Sequence, residues 1–387
     1  MNDFIDDFIE INEELNIENC FLNEDKSILS LIQKGKVNFF DTKNFKEFAD
    51  NLGDELANID ICYPYFRSNI CVVVGKKGNE AFPYNELIFY NIQTKEKIAK
   101  IKINYNPNDI EDKIYNITIV ENTLFIILHH KILMFYLLDL TLLYQFSDIN
   151  GKKGFISINS IKQKITLSYI SNMNNKIIKI YKIRMKNYEK SKKILYSQHT
   201  LCSDFESIQY ISVSPLCKFL AVVSGSGEKI NIYSLLSYNA RKYLWRGYSN
   251  AKIIGIEFDH EAKFMCLLSN QKTFHIYPLL RRHLNIKAKT SEDDDQDYYN
   301  YGRKKPSKIK SLFKYIRNKM GRKYQESYAK YKDENVLVND IILFYLNEKK
   351  DLIIFDKLGC VFIIKFNKRN GGMGWLHQRK YLEVTEF

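Results

Sequence analysis

The stretch that decides the fold runs Ile208-Gln-Tyr-Ile-Ser-Val-Ser-Pro215, Lys218-Phe-Leu-Ala-Val-Val223 and Lys229-Ile-Asn-Ile-Tyr233. It returns about 45 residues later as Ile253-Ile-Gly-Ile-Glu-Phe-Asp-His260, Lys263-Phe-Met-Cys-Leu-Leu268 and Lys272-Thr-Phe-His-Ile-Tyr277. Each unit is a set of short β-branched and aromatic runs separated by turn residues, which is how strands read. A period of about 45 residues is that of a four-stranded propeller blade.

Working outward, the same short runs recur at Ile70 to Val74, Glu86 to Tyr90, Leu124 to Leu128, Ile132 to Tyr136 and Leu352 to Phe355. Asparagines such as Asn104, Asn106 and Asn108, or Asn172, Asn174 and Asn175, mark turns, since Asn tolerates left-handed backbone and hydrogen-bonds its own chain. No helical pattern alternates with the strands, which disfavours a doubly wound parallel sheet. Only Leu279 to Gln325 lacks a strand pattern; without it about 340 residues remain, enough for roughly seven blades. The expectation is an all-β, seven-bladed WD40-like propeller over residues 17–387. An insertion at 279–325 interrupts its sixth blade, and an acidic segment, 1–16, precedes it.

Composition agrees with a folded chain. The 387 residues include only 6 Pro and 16 Gly, with 14% aromatics, which excludes collagen-like and disordered classes. The seven cysteines form no CxxC pair and have no His at ligand spacing, so they read as reduced thiols, with no metal and no cofactor expected. Asp3, Asp6, Asp7, Glu10, Glu13 and Glu14 are the opposite of a signal-peptide n-region. The most apolar stretch, Thr123 to Phe146, is broken by His129, His130, Lys131 and Asp139, so no spanning helix is expected. No P-loop, GxSxG or HExxH is present, and an enzyme is not expected. His129 and His130 are read as alternating along a strand pair, facing opposite sides.

Net charge is +13, from 58 Lys and Arg against 45 Asp and Glu. Arg303 to Lys323 carries ten of those cations and no acid, beside the acidic run Ser291-Glu-Asp-Asp-Asp-Gln-Asp297. Ile309, Leu312, Phe313, Ile316 and Met320 recur there at helical spacing, with Ser307 as N-cap and Gly321 as stop. Such a basic amphipathic helix suits an anionic membrane interface. Docking on the propeller, a solvated loop and an RNA patch are its other readings, although no RNP-like or helix-turn-helix pattern accompanies it.

Tyr243-Leu-Trp-Arg-Gly247, between the two repeat units, resembles the Phe/Leu-Arg-Arg-Gly motif of the PROPPIN (WIPI) family, seven-bladed propellers that bind phosphoinositides. The likeness extends to Phe82-Pro-Tyr-Asn-Glu-Leu-Ile-Phe-Tyr90, to Lys131-Ile-Leu-Met-Phe-Tyr136 with Leu142-Leu-Tyr-Gln-Phe146, to Ala251 through Leu279, and to Glu326-Ser-Tyr-Ala-Lys330. It covers about Ile17 to Glu383 at low identity, in the correct order.

The resemblance implies two headgroup sites on the rim, one for each arginine of the motif. Here the second arginine is kept as Arg246, followed by Gly247, and Ser269, Lys272, Thr273 and His275 fall where the family places its hydroxyls, Lys and His. Gln271 lies in the same run. The first arginine is replaced by Trp245, and Glu228 and Asn231 stand where the family has Thr and Arg. That leaves a degenerate second lipid site of His199, Ser224, Ser226 and Trp245. The family's long loop dips into the bilayer, which points to Ile309, Leu312, Phe313 and Ile316 as the inserting residues.

What the resemblance implies is a non-enzymatic, monomeric effector, cytoplasmic and peripheral on phagophore, endosomal or vacuolar membranes. It would bind phosphatidylinositol 3-phosphate, with the 3,5-bisphosphate as a second ligand, and recruit autophagy proteins such as a lipid-transfer partner at blades two and three. Nucleic acid is not an expected partner. The alternative is a WD40-like interaction scaffold that has lost lipid binding, a reading favoured by Trp245 and Glu228.

Overall fold

The computed structural model describes residues 16–47, 55–65, 67–103, 113–186, 193–271, 273–279, 324–327, 329–332, 341–347, 349–366, 372–373 and 375–381. Among them every regular element is a strand, because β-branched and aromatic runs of five to seven residues, buried on both faces, suit inner positions of a sheet.

Seven sheets follow one another along the chain. The first holds β1 (Ile17–Leu22), β2 (Ile28–Gln33) and β3 (Lys36–Asp41). The second holds β4 (Ile59–Pro64), β5 (Ile70–Gly75), β6 (Glu86–Asn91) and β7 (Glu96–Lys102). The third is β8 (Asn116–Val120), β9 (Thr123–Ile127), β10 (Ile132–Tyr136) and β11 (Thr141–Phe146). The fourth is β12 (Ile156–Ile161), β13 (Lys164–Ile170), β14 (Ile177–Lys186) and β15 (Lys193–Cys202). The fifth is β16 (Ile208–Val213), β17 (Phe219–Ser224), β18 (Lys229–Ser234) and β19 (Ala240–Trp245). β20 (Ile253–Phe258), β21 (Phe264–Ser269), β22 (Thr273–Pro278) and, after the insertion, β24 (Ala329–Lys332) make the sixth. The seventh is β25 (Ile341–Leu346), β26 (Leu352–Asp356), β27 (Cys360–Lys365) and β29 (Trp375–Tyr381). Two short strands, β23 (Tyr324–Glu326) and β28 (Gly372–Met373), add in parallel to the outer edges of the fifth and sixth sheets.

Seven hydrophobic clusters fill the seven gaps between neighbouring sheets, so the architecture is a closed seven-bladed propeller. The last gap joins Leu29, Leu31 and Phe40 of blade one to Tyr345, Ile353 and Phe355 of blade seven. The backbone seals that joint where the Ile17 N–H donates to the Lys357 carbonyl at 2.9 Å. Burial of rings such as Phe40 and Phe355 contributes roughly 1.5–3 kcal/mol each. Close packing between blades six and seven requires glycine at Gly255, where a Cβ would meet Phe344 of blade seven at 2.6 Å.

The repeat legible in blades five and six is more widespread in three dimensions. Blades one, two, five, six and seven share a bulge one step into the first strand, at Ile17/Asn19, Ile59/Ile61, Ile208/Tyr210, Ile253/Gly255 and Ile341/Leu343. Bulges raise local twist, which suits the innermost strand of a blade.

The first strands line a central cavity of about 1810 Å³. The β1–β2 turn reaches across one end of it. Asp25 pairs with Arg67 of blade two at 2.8 Å, Lys26 with Glu257 of blade six at 2.8 Å, and the Ser160 hydroxyl of blade four lies 3.5 Å from Glu24.

Asparagine fills one half of its expected role, hydrogen-bonding its own chain, more than the other. Of the fourteen non-glycine residues with positive φ among the described residues, only Asn58 is an asparagine. The others act through their side chains: the Oδ1 atoms of Asn44, Asn91, Asn150 and Asn174 each accept the backbone N–H two residues on. The expected helix of the insertion, with Ile309, Leu312, Phe313 and Ile316, lies outside the described residues, as does the acidic segment up to residue 15.

Candidate functional site

Antiparallel strand order places the β–β turns between second and third strands, and the passages between blades, at one end of the ring. Turns between third and fourth strands lie at the other. Arg246 follows β19 in the passage from blade five to blade six. Its backbone N–H donates to the Glu228 carbonyl at 2.8 Å. Its side chain turns inward and is only 5% exposed.

The Arg246 guanidinium is a brace as well as a candidate ligand. Nε donates to the Gly227 carbonyl at 2.8 Å, Nη1 to Gln271 Oε1 at 3.1 Å, and Nη2 to the Ser249 carbonyl. Gly227 is required there, since its φ is +72° and a Cβ would meet the Ala251 carbonyl at 2.1 Å. Gln271 is fixed in turn by donating from Nε2 to Ser249 Oγ at 2.8 Å. Burial lowers the guanidinium pKa, opposed by the charges of Tyr277 and Glu228, and an arginine so placed stays protonated at neutral pH. Among the described residues, three of its five N–H donors are held by protein acceptors and two remain for an anion.

His275 and Thr273 lie on β22, beside that brace. The Thr273 hydroxyl donates to the Gln271 carbonyl at 3.2 Å. His275 is 5% exposed, with Nδ1 3.3 Å from Ser327 Oγ. Burial, reinforced by the positive charges of Lys330 and Arg246, pushes its pKa down to about 3, so the imidazole is neutral and offers one N–H donor. Ser269, fully buried at the end of β21 and paired in register with Thr273, has a hydroxyl without a hydrogen-bond partner among the described residues. A Cβ at Gly247 would meet nothing within 4 Å, so no packing demands glycine there. Lys272 lies outside the described residues. Chemically, a charged fork, a neutral imidazole and nearby hydroxyls can share the oxygens of a phosphate.

The other set does not converge in this way. Trp245 is half-buried; its ring meets Tyr248 edge-on at 5.1 Å, and the Lys229 ammonium stands 5.9 Å from its centroid. Ser224 Oγ accepts the Lys229 N–H at 3.2 Å, and Ser226 Oγ accepts the Glu228 N–H at 3.4 Å, so both hydroxyls serve the β17–β18 turn. His199, on β15, stacks on Tyr238 at 3.6 Å, in the turn between β18 and β19. Asn231 is fully buried and donates to the Tyr233 hydroxyl at 3.3 Å.

Sequence reasoning missed Gly227, Ser249 and Ser327. The Gly225-Ser-Gly227 punctuation was the available signal for the first. His129 and His130 also differ from expectation. They occupy the turn between β9 and β10 rather than a strand, so their rings meet edge-on with Nδ1 and Nε2 2.7 Å apart. His260 is exposed at its turn. Among the described residues no group of three or more metal-ligating side chains comes together.

The insertion departs after Leu279 and returns as β23, which pairs in parallel with β19 in the register Tyr243 to Tyr324, Leu244 to Gln325 and Trp245 to Glu326. Its return therefore abuts the Tyr243–Gly247 motif on blade five before β24 completes blade six.

No family model matches the chain. Solved structures do resemble it over nearly its whole length. Hsv2 of Kluyveromyces lactis, in a structure described by its complete loop 6CD, is 12% identical with a TM-score of 0.68, covering 95% of this chain and 99% of that one. Hsv2 of Kluyveromyces marxianus is 10% identical with a TM-score of 0.65 and the same coverage. KlAtg21, solved with the coiled coil of AgAtg16, is 14% identical with a TM-score of 0.61, covering 95% of this chain and 100% of that one. Hsv2 and Atg21 are seven-bladed propellers of the PROPPIN family, so the fold implied by the sequence resemblance is the fold of this chain.

Proposed function

We propose that this chain is a divergent PROPPIN: a non-enzymatic effector that binds a phosphoinositide headgroup at Arg246 and holds to the membrane through its insertion. The observation that carries the reading is the juxtaposition at the fifth and sixth blades. Arg246, with two donors to spare, lies beside neutral His275, Thr273 and the unpartnered Ser269. The insertion sits between the third and fourth strands of the same sixth blade, and its return strand pairs with the motif strand. The headgroup class is a 3-phosphorylated phosphoinositide by family likeness, phosphatidylinositol 3-phosphate first and the 3,5-bisphosphate second. Ile309, Leu312, Phe313, Ile316 and Lys272 join the reading from the sequence alone.

Two weak contacts to one surface multiply through effective concentration, so a single headgroup site and an amphipathic segment suffice for reversible anchoring. Trp245 with Tyr248 and Lys229 fills the place of a second site. Recruitment of autophagy proteins follows from the same likeness; the KlAtg21 structure contains a coiled-coil partner. The membrane would then be that of a phagophore, endosome or vacuole, met from the cytoplasm.

A protein-interaction scaffold without lipid binding is the second reading, favoured by the three protein acceptors that already hold Arg246. Liposome flotation separates the two. Vesicles with phosphatidylinositol 3-phosphate should retain the wild-type chain and lose Arg246→Ala by roughly tenfold or more, as removal of a charge-assisted fork predicts. Equal flotation of both proteins would sink the headgroup reading.

A further inference from the structure

The passage from blade five to blade six presents an aromatic pair that the headgroup reading does not use. Arg246 opens this passage and also clasps it into a short loop, because its Nη2 donates to the carbonyl of Ser249, three residues on. Only Gly247 and Tyr248 lie inside the clasp. Beyond it, Gln271 Nε2 donates to the Asn250 carbonyl at 3.1 Å, and the Ala251 N–H donates to the Ser226 carbonyl at 2.9 Å. The loop is pinned at both feet, yet the Tyr248 side chain at its apex is 47% exposed. Tyr84, Tyr115 and Tyr196 are exposed elsewhere among the described residues, but none of them lies in the passage that holds Arg246.

The Tyr248 ring meets the Trp245 indole edge-on at 5.1 Å, and Lys229 Nζ lies 5.9 Å from the indole centroid. Trp245 is half-buried at the end of β19, where its carbonyl accepts the Tyr277 hydroxyl at 3.0 Å. What adjoins the pair gives it a direction. Along the chain Arg246 follows Trp245 directly; across the sheet, β23 at the end of the insertion places Glu326 in register with Trp245. The pair therefore stands between the two elements proposed to meet the bilayer. A headgroup held at Arg246 brings its glycerol and acyl chains with it, and Gly247 offers them no side chain, its Cβ position facing nothing within 4 Å. The next side chain in the passage is Tyr248, its Cα no more than about 7 Å from that of Arg246.

We propose that Trp245 and Tyr248 form an aromatic anchor that enters the boundary between headgroups and acyl chains beside a lipid bound at Arg246. Rings with an apolar body and a polar edge settle at that boundary, and a cation beside them adds attraction to anionic lipid. Where the sequence resemblance calls for a first arginine, this chain exchanges a phosphate contact for an interfacial one. The proposal rests on the membrane-binding reading above and gives the Trp245 side a ligand of different chemistry, the bilayer interface rather than a second inositol phosphate.

The test uses the full chain. Its two tryptophans are Trp245 and Trp375, so Trp375→Phe leaves Trp245 as the one indole emitter. This protein is mixed with phosphatidylcholine vesicles that contain phosphatidylserine and phosphatidylinositol 3-phosphate and carry bromine on the upper acyl carbons. Trp245 emission should shift to the blue and be quenched. In flotation on the unbrominated vesicles, Tyr248→Ser should lose roughly tenfold in affinity, as removal of an apolar ring from the interface predicts, while Tyr248→Trp should bind at least as well as wild type. Thermal melts confirm that each variant is folded, and calorimetry with soluble inositol 1,3-bisphosphate should give the same affinity for Tyr248→Ser as for wild type. Quenching that persists in Arg246→Ala, with no binding of the soluble headgroup by wild type, keeps the anchor and removes the headgroup site. Flotation with Trp245 unquenched overturns the anchor, as does a Tyr248→Ser protein that floats like wild type. Loss of soluble headgroup affinity in Tyr248→Ser also overturns it, since the ring would then belong to the headgroup pocket. A wild-type chain that floats on no vesicle overturns both readings.

Discussion

Trp245 and Arg246 are neighbours in the chain, yet their surroundings are organised in opposite ways. Trp245 shares its space with Tyr248 and Lys229, its ring meeting one edge-on and lying 5.9 Å from the ammonium of the other. Its neighbouring hydroxyls, Ser224 and Ser226, already accept backbone N–H groups of their own turn. On the Arg246 side a buried guanidinium keeps two donors, a buried imidazole is held neutral, and a buried hydroxyl stands unpartnered. Buried polar groups are costly unless satisfied, and a cationic fork with two donors left beside a hydroxyl gives the Arg246 side something to gain from an anion.

The largest effect should come from cutting the brace itself. Arg246→Leu leaves the carbonyls of Gly227 and Ser249 and the Gln271 amide without their donor, inside the joint between blades five and six. The expected loss is about 2–4 kcal/mol, since the buried Gly227 carbonyl left unpaired costs about 1–3 kcal/mol and the two part-buried hydrogen bonds add about 1 kcal/mol. Trp245→Ala removes a half-buried ring and should cost about 1–2 kcal/mol. Urea unfolding of the two proteins checks the ordering. A costlier Trp245 substitution would erase the contrast, because the tryptophan would then be the keystone and the arginine an ornament of the surface.

The next effect is a pH dependence confined to the Arg246 side. His275 is lowered from its ordinary value of 6.5 to about 3 by burial, then by Lys330 and Arg246. The unfolded chain therefore binds a proton that the folded chain refuses, and the stabilising contribution is full above pH 6.5 and declines as pH falls toward 3. Between pH 7 and pH 5 the decline should be about 2 kcal/mol from this group. His275→Gln should flatten that part of the profile in thermal melts. A phosphate beside Arg246 would offset the positive field on the imidazole, so headgroup binding should draw the His275 resonance upward in an NMR titration and strengthen as pH falls. An unmoved resonance would leave His275 as a packing residue.

How much of this was legible in the sequence differs by level. Blades five and six announced themselves because their units stay in step, Ile208 to Tyr233 against Ile253 to Tyr277, and the sheets follow those bounds closely. The pairing of β23 with β19 was not legible, since a parallel rung between distant edges is made by backbone groups and leaves no side-chain pattern. Arg246 was recognisable as a candidate phosphate ligand from its motif. Its role as a brace was not, because the acceptors are the carbonyls of Gly227 and Ser249, which are invisible to residue type. The charge was only partly located. The run Arg303 to Lys323 stands out because its ten cations meet no acid and no strand pattern, while the eight cations from Lys176 to Lys193 share their stretch with Glu189 and with the strand residues Ile177, Ile178, Ile180, Tyr181 and Ile183.

The smallest effect is the sharpest on the comparison, because it concerns one oxygen atom. Ser269 is fully buried, and its hydroxyl has no partner among the described residues. Leaving such a group unpaired is unfavourable, so Ser269→Ala should leave stability unchanged or raise it by up to about 1 kcal/mol. Ser224→Ala, on the Trp245 side, removes an acceptor used by the Lys229 N–H and should lower stability by about 0.5–1 kcal/mol. The two serines occupy the same place in their blades, each ending a second strand and pairing with the first residue of its own first strand, Ile208 or Ile253. Opposite signs in matched urea titrations would therefore report the difference between an open and a closed rim without reference to lipid. If Ser269→Ala destabilises as Ser224→Ala does, the Ser269 hydroxyl is satisfied within the fold, and the Arg246 side is as closed as its neighbour.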